Sequence, residues 1–326
     1  MTLEPSVTEL VEKMLTGAQR PLARLISMVE REEPAVPSII RQLYSHLGKA
    51  YSIGVTGPPG GGKSTLVDKL TALLRKKGLT VGIIAADPTS PFSGGAILGD
   101  RIRMQQHYLD PGVFIRSMAT KGSHGGLPRS AKDVMKLMDA AGKDVILVET
   151  VGVGQTELDI VETTDTTVVL LVPEAGDAIQ TLKAGLMEIA HIFVVNKAER
   201  EGADRLMLEL RMMLEIKRAE GGWEVPVVAT QAHQGIGIEE FYANVEAHRR
   251  YLEESGQLQR RRALQRRTEL WELVERKVRQ RLMARVKEDG KLAALVEQVM
   301  QGELDPHSAV SQILDDEEIL RSWLMV

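Results

Sequence analysis

Residues 57 to 64 read Gly57-Pro58-Pro59-Gly60-Gly61-Gly62-Lys63-Ser64, followed by Thr65, and satisfy the order G-x-x-x-x-G-K-[ST] at every position. Glycines let a backbone wrap closely around phosphate oxygens, and successive N–H groups at a helix start favour negative charge there. The Lys63 ammonium would reach the β- and γ-phosphates of a nucleoside triphosphate, and the Ser64 hydroxyl would ligate Mg²⁺. A glycine-rich turn that merely joined strand to helix would need neither group. Here both are present, between an apolar run and the helical stripe Leu66, Val67, Leu70, Leu73 and Leu74.

Three acids stand where strands of such a domain should end. Asp87 follows the apolar run 82–86, Asp100 closes the glycine-containing segment 93–100, and Glu149 opens Glu149-Thr150-Val151-Gly152-Val153-Gly154-Gln155 after the run 144–148. Taken singly, each is as readily a solvated or capping residue. Together they suit Mg²⁺, which takes oxygen ligands and keeps several waters, so one or two carboxylates suffice beside Ser64 and a phosphate oxygen. The spacing leaves open which acid touches the metal and which orients the attacking water. Gly152 is the expected hinge whose N–H senses the γ-phosphate.

A second constellation reads a base. Asn196-Lys197-Ala198-Glu199 follows the run 192–195 and nearly matches N-K-x-D, in which the acid accepts hydrogen bonds from the ring N–H and amino group of guanine. Adenine would set a ring lone pair against that carboxylate, and an unsatisfied buried acceptor costs on the order of 1–3 kcal/mol. Glu199 adds a methylene to that scheme and is expected to weaken discrimination. Thr230, Gln231 and Ala232 follow another apolar run and could present backbone N–H groups to the base carbonyl, and Gln231, Ala232 and His233 are counted with the nucleotide-binding residues. GTP and GDP, with Mg²⁺, are the expected ligands.

Positioning these groups requires a parallel sheet. Short apolar runs at 52–56, 80–85, 113–117, 144–148, 167–172, 192–195 and 225–229 alternate with helical stretches, the pattern of a doubly wound α/β fold with both sheet faces covered. Residues 1–50 read as short helices, a helical extension ahead of a nucleotide-binding domain at 51–245. Residues 246–326 read as a charge-rich helical region suited to dimerisation, with Trp271, Val274, Val278, Leu282 and Val286 on one stripe. The chain has 326 residues, 43% of them apolar and 26% charged, a net charge of -4 and no cysteine. That excludes disulfides, a thiol nucleophile and thiolate-ligated metals. The acidic balance argues against a general nucleic-acid binder, and the arginines of 249–285, interspersed with glutamates, read as a solvated face. No apolar run is long enough to span a bilayer and the amino terminus lacks a signal-peptide pattern, so a cytoplasmic protein without membrane attachment is expected.

With these residues in view, the sequence resembles the methylmalonyl-CoA mutase-associated GTPases, the MeaB/ArgK group. The resemblance runs from about Arg20 to Tyr251. It rests on Asp87-Pro88-Thr89-Ser90-Pro91 with 94–101, similar to a first switch, and on Gly125-Gly126-Leu127 with 149–155, similar to a second. Gly176-Asp177 with Gln180, Lys183 and Gly185 resembles a further switch that couples nucleotide state to a partner. What the resemblance implies is a dimeric α/β GTPase that docks on a cobalamin-dependent acyl-CoA mutase, gates cofactor loading and clears damaged cofactor. Lys63 and Ser64 would then hold phosphate and metal, Asp87, Asp100 and Glu149 the Mg²⁺ and water network, and Gln180 and Lys183 the coupling. Departures from the family pattern are Glu199 for aspartate, Gly61 for another small residue, Thr156 for serine and Gln231 for serine. Two other roles use the same core motifs. A nickel metallochaperone would need His or Cys clusters, against seven scattered histidines here. A kinase-type ATPase linked to amino-acid transport would need an adenine preference that Asn196-Lys197-Ala198-Glu199 argues against.

Overall fold

A computed structural model of the chain describes residues 6–87, 104–120, 126–152, 158–173, 187–216, 222–286 and 290–316. The seven apolar runs form seven strands: β1 (Tyr51–Thr56), β2 (Val81–Asp87), β3 (Val113–Ala119), β4 (Val145–Glu149), β5 (Thr166–Leu171), β6 (Ile192–Asn196) and β7 (Val227–Thr230). They make one sheet in the order β3-β2-β4-β1-β5-β6-β7, with every pairing parallel. The chain leaves β1 toward one edge and later builds β5 to β7 toward the other. Loops therefore diverge at the C-terminal ends of the central strands, where open α/β sheets bind ligands.

Register decides which side chains meet. Val55 pairs with Glu149 and Ala85 with Glu149, so alternation places Ile53, Val55, Ile83, Leu147 and Val194 on one face. Asp87, Glu149 and Asn196, the last residues of their strands, continue that face. It is covered by α4 (Lys63–Lys76), through Leu66, Val67, Leu70 and Leu74, and by a later helix, Ile238–Glu254, through Phe241, Tyr242 and Val245. The buried run continues to Leu252 and Leu258, which carries this compact unit through residue 259, past the expected end near 245.

The opposite face is covered in two parts. Three helices, α1 (Val7–Leu15), α2 (Gln19–Glu30) and α3 (Val36–Leu43), bury Leu10, Met14, Leu25, Ile26, Ile39 and Leu43 with Ile84, Ile146 and Val148 of the sheet and α5 (Ala131–Ala140). The expected helices at the start of the chain thus share the core of the nucleotide-binding domain. Pro21 falls inside the first turn of α2, where a missing N–H costs nothing, rather than between helices. Between β4 and β5 lies α6 (Leu158–Thr163), and α7 (Ala203–Ile216) packs Leu206 and Leu210 on Phe193 and Val195. Numbered in turn, Ile238–Glu254 is α8.

A second compact unit spans 260–326. It holds most of α9 (Gln257–Val286), with α10 (Gly290–Met300) and α11 (Pro306–Asp315). The expected stripe on α9 divides: Leu282 and Val286 pack around Leu292, whereas Trp271, Val274 and Val278 are 58%, 41% and 38% exposed. Among the described residues no helix is long and apolar enough to cross a membrane.

A buried ion pair ties α4 to the chain that follows β2. Asp68, one turn after Ser64, accepts hydrogen bonds at 2.7 Å on both carboxylate oxygens from Gln106 Nε2, and His107 Nε2 lies 3.2 Å from its Oδ1 and from its carbonyl oxygen. Burial pushes the Asp68 carboxyl up, but the His107 and Gln106 hydrogen bonds outweigh it and hold the group below its ordinary value. The Asp68 hydrogen bond likewise holds His107 above its ordinary value against desolvation.

Two measurements follow. Leu25→Ala, which empties a fully buried position in the shared core, is expected to cost about 3 kcal/mol in denaturant unfolding, with the N-terminal helices melting together with the sheet. The His107 contribution is complete below about pH 6.5 and fades as pH rises through the raised folded-state value; the Asp68 contribution fades in the opposite direction, as acid protonates it. The denaturation midpoint should therefore decline as pH rises from 6 through neutrality, and His107→Gln, which cannot titrate, should flatten that decline.

Candidate functional site

The phosphate-loop residues join the end of β1 to the start of α4. Gly57, Gly60 and Gly62 all carry positive φ, and at Gly62, with φ of +98°, a Cβ would strike Asn196 Nδ2. The loop's exit is thus open only to glycine, for reasons of both conformation and space. Pro59 and Gly60 are exposed, Pro58, Gly62 and Thr65 half-buried, and Gly61, Lys63 and Ser64 buried. A Cβ on Gly61 would come within 2.8 Å of Leu170 Cδ2, which gives this departure from the family pattern a packing reason.

Lys63 folds over its own loop. Its Nζ donates to the Gly57 carbonyl at 2.9 Å and the Pro58 carbonyl at 3.2 Å. Gly152, with φ of +79°, packs directly above: a Cβ there would run into the Gly57 carbonyl oxygen and lie 2.5 Å from Lys63 Nζ. The expected hinge and the expected phosphate lysine are therefore neighbours. Gly126 joins them, beside Thr150, and Thr150 Oγ1 meets Thr56 Oγ1 at 2.9 Å in the interior.

Ser64 Oγ donates to Glu149 Oε1 at 2.7 Å. Asp87 lies on the same face of the sheet, two residues further along β2 than the position beside Glu149. All three are buried, with Asp87 Oδ2 and Glu149 Oε2 below the surface. A hydroxyl and two carboxylates form an oxygen-only donor set, which fits the hard ion Mg²⁺ and would leave coordination positions for water and phosphate. Among the described residues no three His, Asp or Glu side chains converge on one point. Asp100 lies outside the described residues, as do Gln180 and Lys183.

Asn196 organises the other end of the site. It is 3% exposed; its Nδ2 donates to the Gly61 carbonyl at 2.8 Å, while its Oδ1 accepts from Thr230 Oγ1 and from Ala232 N, both at 3.0 Å. Ala198 N donates to the Thr230 carbonyl at 3.0 Å. The 196–199 and 230–234 loops are zipped together and onto the phosphate loop. Lys197 holds φ of +57°, rare for a non-glycine residue, which turns the chain so that Glu199 faces the second loop. Glu199 Oε1 lies 4.0 Å from His233 Nδ1, both partly exposed, and Gln231 is fixed by its N–H donating to the Ile236 carbonyl at 3.1 Å.

The sequence pattern puts these residues at strand ends, and Ser64, Asp87, Glu149 and Asn196 lie at one rim of the sheet. It missed Thr56, Thr150 and Thr230, whose hydroxyls tie strand ends together, and the Asp68–His107 pair. Only Asp68 left a local signal, a charged residue on the buried stripe of an amphipathic helix.

Comparison with known proteins agrees with this geometry. The family model described as "Methylmalonyl Co-A mutase-associated GTPase MeaB" matches residues 22–287. A Pyrococcus abyssi protein named "Putative GTPase" is 51% identical over 323 residues, covering 98% of this chain and 99% of its own. The "GTPase ArgK" of Escherichia coli is 34% identical, covering 81% and 82%. The solved structure of an "LAO/AO transport system kinase" superposes with a TM-score of 0.71 at 27% identity, over 97% of this chain and 98% of that one. With the phosphate-loop pattern of Gly57–Ser64 carried on a parallel sheet, a chain so matched is a GTP-hydrolysing member of the MeaB family.

Proposed function

We propose that this GTPase is a Mg²⁺-dependent, GTP-driven chaperone of a cobalamin-dependent acyl-CoA mutase in the cytoplasm, gating cofactor loading and protecting the mutase. The family description, and the likeness (31% identity) to the mouse "Methylmalonic aciduria type A homolog, mitochondrial", support the partner. The observation that carries the switch is the contact of Lys63 with the phosphate loop beneath Gly152. A γ-phosphate would draw the ammonium off the Gly57 and Pro58 carbonyls, and Gly152, packed against both, would have to follow. After hydrolysis and phosphate release the ammonium returns to those carbonyls. Each turnover thus changes the backbone after Glu149, which is what a docked partner would read.

Ser64, Asp87 and Glu149, with Asp100 from sequence, are the residues we assign to hold Mg²⁺, which would neutralise charge on the β- and γ-phosphates. The Lys63 ammonium adds a second positive charge where negative charge builds up as the phosphoryl group leaves. Asn196 fixes the base loops against the phosphate loop, and Glu199 would accept from guanine's ring N–H and amino group. Kinase chemistry on an ATP donor is disfavoured by that acceptor, which meets no donor on adenine's ring nitrogen.

Three substitutions test the site. Lys63→Ala and Ser64→Ala should lower GTP turnover at least about a hundredfold with folding intact, since each removes charge or metal support at the transferring phosphoryl. Gly152→Ala should weaken GDP affinity as well as hydrolysis, because its methyl would strike the Gly57 carbonyl oxygen and Lys63 Nζ in their resting contact. With a purified cobalamin-dependent mutase, wild-type hydrolysis should rise and co-purification should depend on a non-hydrolysable GTP analogue. Nucleotide-independent or absent association would set the mutase role aside. We also propose a homodimer that covers Trp271, Val274 and Val278: light scattering should give twice the chain mass, and Trp271→Glu should shift it toward the monomer.

A further inference from the structure

The replacement of aspartate by glutamate at the base-reading position poses a physical problem. A glutamate has one more rotatable bond than an aspartate, so its carboxylate reaches further and loses more freedom when held against a base. Something must hold it. Among the described residues the polar group facing the Glu199 carboxylate is His233, with Nδ1 4.0 Å from Oε1. The backbones carrying the two side chains are fixed to each other by the Ala198–Thr230 hydrogen bond and by the Asn196 side chain's bonds to Thr230 and Ala232. Buried bonds therefore hold the backbones of Glu199 and His233 side by side, within reach of each other's side chains.

The next residue sets the proton. Gln234 Nε2 lies 3.0 Å from His233 Nε2. An amide nitrogen only donates, so His233 Nε2 accepts, and in that neutral ring the proton resides on Nδ1. That tautomer carries its N–H on the nitrogen nearer Glu199. Gln234 thus donates to His233, and the His233 Nδ1–H stands 4.0 Å from Glu199 Oε1, a gap that a small rotation of either side chain would close to a hydrogen bond.

We propose that His233 is a specificity-determining positioning residue, which orients Glu199 so that its longer side chain accepts from the ring N–H and amino group of guanine. The inference rests on the base-reading role given to Glu199 above. It predicts that His233 matters to guanine alone and matters only while residue 199 is glutamate. An aspartate carboxylate would stand back from the imidazole and would not need it.

The test is calorimetric binding of GDP, IDP and ADP to the full chain and its variants. Wild type should prefer GDP to ADP at least about tenfold, a difference of about 1.4 kcal/mol. His233→Ala should weaken GDP about fivefold, the size of one hydrogen bond, and IDP, which lacks the amino group, less; ADP should not change. His233→Asn, whose amide nitrogen falls near the imidazole Nδ1, should restore GDP binding to within about twofold of wild type. In a Glu199→Asp background, His233→Ala should have no effect. Equal wild-type affinities for GDP and ADP would overturn the base-reading role and this inference with it. A guanine preference that His233→Ala leaves intact, a loss shared equally by ADP, or the same loss in the Glu199→Asp background would overturn the inference alone.

Discussion

The Asn196 side chain is the one interaction on which both halves of the site depend. A single buried amide bonds the phosphate loop at Gly61 and the last base loop at Thr230 and Ala232. Its donor and acceptor ends cannot be exchanged, because a carbonyl stands on one side and an N–H and a hydroxyl on the other. A buried amide with a missing partner costs on the order of 1–3 kcal/mol, so the three loops are held in one arrangement at an energy comparable to a large share of a domain's net stability. Glycine at position 62 is the steric counterpart, since any side chain there would displace the amide.

Strand alternation explains why the chemistry gathers where it does. The face that buries Ile53, Val55, Ile83, Leu147 and Val194 under α4 runs on, at the strand ends, into Asp87, Glu149 and Asn196. Apolar residues give way to carboxylates and an amide at the rim, where the helix N-terminus and the phosphate-loop N–H groups favour anions. At the rim itself, Ser64 with Glu149, and Thr56 with Thr150, meet as direct side-chain hydrogen bonds. Under the proposed switch, walls of this sort would pass a displacement of Lys63 on to the backbone at Gly152.

What the sequence made legible was local. All seven strands announced themselves as apolar runs, most plainly β1, β2, β4, β5 and β6, which are buried along their whole length and carry no polar alternation to confuse the reading. The phosphate loop was legible because its conformation needs glycines at fixed positions. Relations between distant residues were not. Asp68 and His107 are 39 residues apart, and nothing in either neighbourhood names the other. The tautomer of His233 depends on an amide beside it, and Thr230 looks like any strand-ending hydroxyl. The α9 stripe read as one surface because its spacing is regular, yet among the described residues its C-terminal part is the part that packs on Leu292, Leu295 and Ile313. Periodicity reports that a face is apolar, not what lies against it.

The N-terminal helices carry a consequence for how the chain is made. Their apolar stripes, from Leu10 to Leu43, close on Ile84, Ile146 and Val148, some of which leave the ribosome more than a hundred residues later. Until β4 has emerged these helices have no sheet to cover, and α1, α2 and α3 hold their leucines and isoleucines open to water and to other nascent chains. The parallel order postpones the pairing further, since β1 lies between β4 and β5 and cannot be flanked until both exist. Such long-range closure is slow and prone to aggregation. A fold closed in this order is one whose yield in a cell is expected to respond to translation speed and chaperone supply as well as to the stability of the finished fold.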